Sequence, residues 1–114
     1  MMTDNKTRRE IKLAYEEKRN AITYDFQRRQ DAIDNEMERI RTDINYLGWL
    51  MRHGDDNCRD RINELTGQLS DLRRAKTKLD FERRRALHAL KRERSEKLYE
   101  CETIESERKE VAAV

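Results

Sequence analysis

The stretch HGDDNC puts His53, Asp55, Asp56 and Cys58 within six positions, and every one of these side chains can ligate a metal or carry a proton. Spacing decides whether they could act together. Their order matches no zinc pattern, which calls for four ligands in two pairs. A calcium loop opening at Asp55 and Asn57 would need an acid where Arg59 stands and glycine where Asp60 stands. Gly54, the two aspartates and Asn57 are the residues from which chain reversals are made. The segment therefore reads as a turn, with no metal and no cofactor assigned.

A second kind of chemistry is electrostatic. From Arg73 to Lys97 the sequence RRAKTKLDFERRRALHALKRERSEK holds eleven Lys or Arg against four Asp or Glu. Such an excess attracts the phosphates of DNA or RNA, and Arg73, Arg74, Arg83, Arg84, Arg85, Lys91, Arg92 and Arg94 are the candidate contacts. Against this, residues 98–110 and the facing part of the first half are acid-rich. The segment contains no nucleic-acid motif and no interleaved stacking aromatics, and mixed charge on a long helix is usually a solvated face.

The third feature is YLGWLM, Tyr46 to Met51, the most apolar run in the chain. On a helical wheel Leu47 and Met51 share a side with Ile44, whereas Tyr46, Trp49 and Leu50 point away from it. Clustered exposed aromatics mark protein contacts. Tyr46, Trp49 and Leu50 are accordingly the expected partner-binding residues. Leu13 and Tyr24 fall on the line of Tyr46, interrupted at Asn35, and Phe81 and Tyr99 lie off the apolar line of the second half.

The elements that carry these groups follow from periodicity. Isoleucine recurs at Ile11, Ile22, Ile33 and Ile44, and Tyr15, Phe26 and Met37 run beside it at the same interval of eleven. Eleven residues make three turns at about 3.67 residues each, so each set stacks into one stripe along a helix. Ile40, Leu47 and Met51 continue the line with coiled-coil spacing. In the second half Ile62, Leu65, Leu69, Leu72 and Leu79 keep heptad spacing. Leu79, Leu90, Cys101 and Ala112 then return to elevens, joined by Leu87 and Leu98.

Gly54 can end the first helix in a left-handed conformation, and Asp55 or Asp56 can cap the second. These signals predict a single domain over residues 1–114, with helix one at about 3–52, a turn at about 53–56 and helix two at about 57–112. A short connection makes the helices antiparallel neighbours. Ile44 should then lie level with about Leu65, Ile22 with about Leu87 and Ile11 with about Leu98.

The expected fold is an all-α, long antiparallel two-helix coiled-coil hairpin with a mixed heptad and eleven-residue seam, roughly 75–85 Å long, with dimerisation into a four-helix bundle left open. Acid-before-base pairs four apart, Asp25–Arg29, Asp80–Arg84, Glu93–Lys97 and Glu105–Lys109, should add about 0.2–0.5 kcal/mol each. A helix break at Gly67 would instead give three helices. The seam Leu65, Leu69, Leu72 runs straight across that glycine, which costs only about 1 kcal/mol inside a helix.

Composition narrows the class further. There is no proline, 44% of residues are Asp, Glu, Lys or Arg, and the net charge is only +2. Periodic apolar residues in a nearly neutral chain argue for long solvated helices over disorder. No stretch approaches the roughly 20 apolar residues of a membrane span, and MMTDNKTRRE has no apolar signal segment. A cytoplasmic location and reduced Cys58 and Cys101 are expected. His53 and His88, about 50 Å apart on one hairpin, have no matched nucleophile, so no enzyme and no small-molecule substrate is expected.

The functional expectation is a non-enzymatic protein–protein interaction module: an adaptor, a stalk-like assembly subunit or a small inhibitor. It would bind a larger protein through the aromatic tip and charged flanks, with a homodimer as one form. In shape it resembles the coiled-coil stalk subunits of secretion ATPases, without a motif of theirs. The alternative is a nucleic-acid-associated regulator using the basic face of helix two.

Overall fold

The structure, a computed structural model, describes residues 7–113, with side chains described through residue 104. The chain is an all-α antiparallel hairpin: α1 spans Arg8–Arg52, a single 3₁₀ turn covers Asp56–Cys58, and α2 spans Arg59–Ala113. Among the described residues there is no strand.

Both ends of α1 are closed by backbone logic. At its start, Thr7 accepts a hydrogen bond through Oγ1 from the Glu10 amide at 3.2 Å, and Glu10 supplies negative charge to the first turn. At its end, the Asp55 amide donates to the Leu50 carbonyl at 3.0 Å and the Gly54 amide donates to the Met51 carbonyl at 3.2 Å. These two bonds form a Schellman motif, which needs a left-handed residue between them. Gly54 supplies it with φ +99°, and no other described residue has positive φ. Asp55 then accepts from the Asn57 amide at 3.1 Å through its carboxylate and caps the 3₁₀ turn that leads into α2.

The helices pack as two units. In the turn unit, residues 25–82, Met37, Ile40, Leu65 and Leu69 form a buried cluster, with Ile33, Ile44, Leu47 and Leu72 packed against it. Lys76 donates to Asp34 across the helices at 2.7 Å. In the terminal unit, described over residues 7–24 and 83–113, Ile11 and Leu90 are the buried residues, and Ile22, Leu87 and Leu98 are half-buried. Lys18 reaches Glu93 across the helices at 3.4 Å, and Arg8 pairs with Glu102. These pairs set α1 against α2 in the register that the isoleucine stripe implies.

Every seam residue named from periodicity is buried or half-buried as far as Cys101. Ala112 and the pair Glu105–Lys109 lie outside the residues whose side chains are described. Of the helical charge pairs, Asp25–Arg29 closes at 3.2 Å and Glu93–Lys97 at 3.0 Å, while Asp80 and Arg84 are each engaged as well. α2 passes through Gly67 without interruption. Cys58 adds a core member that periodicity missed: the 3₁₀ turn rotates it inward, to 7% exposure.

The glycines give an opposed pair of predictions. A Cβ added at Gly67 meets no atom within 4 Å, so Gly67→Ala should raise stability by about 0.5–1 kcal/mol through helix propensity. Gly54→Ala should lower it by about 1–2 kcal/mol, because the left-handed turn disfavours any Cβ. Urea unfolding followed by circular dichroism reads both signs.

Candidate interaction sites

Three consecutive inward turns of α1 fix the aromatic site. Ile44, Leu47 and Met51 are half-buried on the seam, which turns positions 46, 49 and 53 outward at helical spacing. Tyr46 remains 61% exposed and Trp49 48% exposed. The Tyr46 and Trp49 rings are nearly parallel, with 10° between planes and centroids 6.5 Å apart. His53 also stacks on Trp49, at 4.0 Å and 24°. Its Nδ1 lies 2.8 Å from the Trp49 carbonyl, a bond that the Nδ1–H tautomer donates. The result is a short ladder, Tyr46, Trp49, His53, standing on the last two turns of α1.

Leu50 differs from Tyr46 and Trp49, being half-buried. Its carbonyl receives the Asp55 amide in the Schellman closure, so this residue sits where the chain folds back. His53 takes the place beside Trp49 that sequence reasoning had given to Leu50. Only the i, i+4 spacing of Trp49 and His53 signalled that neighbour, and it is hidden once His53 is weighed as a metal ligand.

The metal-like cluster is spent on the turn. His53 is stacked on Trp49, the Asp55 carboxylate caps Asn57, and the Cys58 thiol is buried. Among the described residues no group of three His, Cys, Asp or Glu side chains converges as a metal would require. Burial, and then the neighbouring Asp55 charge, push the Cys58 thiol above its ordinary pKa. Neither cysteine is disulfide-bonded.

The basic residues divide by the side of α2 they occupy. Arg73, Arg74, Arg84, Arg85, Lys91 and Arg92 are exposed, whereas Arg83 and Arg94 are half-buried toward the seam. Arg94 lies over the Tyr15 ring of α1 at 4.3 Å from its centroid, a cation–π contact of about 0.5–1 kcal/mol. Arg94 therefore serves packing inside the terminal unit, because position 94 follows Leu87 and Leu90 along the seam edge. Arg74 pairs with Asp71 at 3.5 Å. Phe81 and Tyr99 are exposed on α2, at 65% and 71%, as are Leu13 and Tyr24 on α1.

Comparison with protein families, curated proteins and solved structures finds no match. The chemistry of these surfaces has to speak alone. No described helix is long and apolar enough to cross a membrane.

Two measurements follow from the ionisable groups. The carboxyl of Glu93 is held below its ordinary value of 4.5 by hydrogen bonds from Lys97 and Lys18. A depressed carboxyl contributes stability above the unfolded-state pKa and loses it as pH falls through the lower folded value. Glu93→Gln should thus be slightly less stable than the parent at neutral pH, with the difference shrinking steadily below pH 4.5. For the thiols, iodoacetamide should modify half-buried Cys101 well before buried Cys58 in the native chain. Mass spectrometry of digests should show the two rates converging in denaturant.

Proposed function

We propose that the hairpin is a non-enzymatic protein–protein interaction module whose contact point is the aromatic ladder at its closed end. The observation that carries this reading is the exposure of Tyr46 and Trp49 as stacked, parallel rings at the end of α1. Trp and Tyr dominate the energetics of protein interfaces because they bury large area with few rotatable bonds. Here part of the ordering cost has been met before binding. Trp49 is stacked with both Tyr46 and His53, and His53 is held by the Trp49 carbonyl.

The mechanism is docking of a flat aromatic patch into an apolar hollow on a larger protein, with charged side chains of the hairpin setting orientation. Charge at such a rim changes encounter rate and partner choice more than affinity. Nothing in this scheme requires a catalytic group, and the polar side chains nearest the patch are already committed to the turn.

The test uses the full chain and two variants, Trp49→Ala and Tyr46→Ala, immobilised side by side for capture from the native extract. A protein retained by the parent and lost by both variants, at unchanged helix content and mass, is the expected result. Losses of tenfold or more in affinity, about 1.4 kcal/mol or above, are typical of an interface hot spot. Capture that survives in both variants removes the tip from the function. A parent chain whose mass doubles with concentration, and whose Trp49→Ala variant stays monomeric, would assign the ladder to self-association instead.

A further inference from the structure

One member of the aromatic ladder, His53, carries an imidazole, the side-chain type that changes charge between about pH 5 and 8. Its two nitrogens are not equivalent here. Nδ1 lies 2.8 Å from the Trp49 carbonyl oxygen, and a carbonyl only accepts, so Nδ1 holds a proton whether the ring is neutral or charged. The proton that comes and goes is the one on Nε2.

Two contacts keep the ring in place in both states. The Nδ1–H bond to Trp49 is common to them. The stack on the indole, 4.0 Å between centroids, also suits the imidazolium, because tryptophan is the best aromatic partner for a cation. Protonation therefore alters the charge of the ladder and leaves its geometry.

The ionisable and charged groups around His53 are few. Tyr46 is the other titratable ring of the ladder and stacks on Trp49. Arg52 precedes His53 on α1 and is exposed. On the turn, the Asp55 carboxylate accepts from the Asn57 amide at 3.1 Å. Asp56, Arg59 and Asp60, from the 3₁₀ turn and the start of α2, line a hollow with Met51. Met51 is two residues before His53 and so about 200° round the helix from it. The charge that changes on the ladder is thus that of His53 itself.

We infer that His53 is a proton switch in the ladder, turning the end of α1 from a neutral aromatic face into a cationic one without changing its shape. The consequence for binding rests on the reading of the ladder as a docking surface. An apolar hollow that accepts the neutral rings has to take up a charge when Nε2 is protonated, and burying an unpaired charge is strongly unfavourable. Falling pH then releases the partner, although Tyr46 and Trp49 still present the same rings.

The switch is measurable on the full chain without a partner, because Trp49 is the only tryptophan. Its emission is quenched by iodide, caesium and neutral acrylamide in turn, from about pH 8 to about pH 5, at a constant ionic strength of about 0.1 M. A positive charge stacked on the indole attracts iodide and repels caesium, so the ratio of iodide to caesium quenching should rise about twofold or more through the titration. Acrylamide quenching should stay level. His53→Gln should hold the ratio low at every pH and His53→Arg should hold it high. His88→Gln should follow the parent, with unchanged circular dichroism in all three variants. A flat ratio in the parent, or an equal rise in His53→Gln, overturns the inference. A parallel rise in acrylamide quenching overturns it too, since the ladder then opens on protonation.

The consequence for docking is read separately, on a protein captured by the parent and lost by Trp49→Ala. Its affinity for the parent should fall about tenfold between about pH 7.5 and about pH 5.5, and stay within about twofold for His53→Gln. The same pH profile in both chains removes His53 from the control of docking. Absence of any such protein counts against the docking reading alone, and the quenching ratio still decides the switch.

Discussion

The apolar seam between α1 and α2 is the constraint on which everything else depends, because two helices can cover each other on one side only. Seven described residues are buried, the least exposed still at 3%. A third helix would have closed the flanks of the seam, and with it the outward faces that carry the aromatic ladder and the exposed cations of α2. The chain compensates for a thin core by length and periodicity. Stripes repeating every eleven residues keep the buried side aligned over many turns with little drift. Polar cross-links such as Asp34–Lys76 and Lys18–Glu93 then hold register. Each is part-exposed and individually weak, yet a slip along the seam would break several at once.

The periodic part of this was legible in the sequence. Ile11, Met37, Ile40, Leu65, Leu69 and Leu90 are buried because helical geometry leaves them no other side to face. Gly54 and Asp55 were legible too, since a left-handed residue and a capping carboxylate are local requirements met by local chemistry. The rest depends on partners distant in sequence or on turn geometry. Cys58 lies inside because a 3₁₀ turn rotates differently from the α-helix on which a wheel is drawn. Arg94 crosses to Tyr15 only after α1 has been laid beside it. A charge count has no access to that contact and treats Arg94 as one more solvent-facing cation.

At the candidate sites the same division holds. The outward direction of Tyr46 and Trp49 follows from the wheel, while the bracing of Trp49 by His53 follows from where the helix ends. His53 occupies the last turn just before Gly54, so the Schellman closure that reverses the chain also completes the ladder. In the basic segment, six of eight candidate cations face solvent as a solvated helix face would have them. Glu93 of the same segment turns the other way and reaches Lys18 of α1, an inter-helix contact.

Exposure has a consequence for causality as well as for binding. Seam residues cannot be altered without disturbing the fold, since removing a buried leucine from so thin a core costs a few kcal/mol. Tyr46, Trp49, Arg85, Lys91 and Arg92 are outside the seam and contribute little to it. Surface substitutions of that kind usually change stability by about 0.5 kcal/mol or less. A hairpin of this design therefore separates the residues that make its shape from the residues on its outward faces.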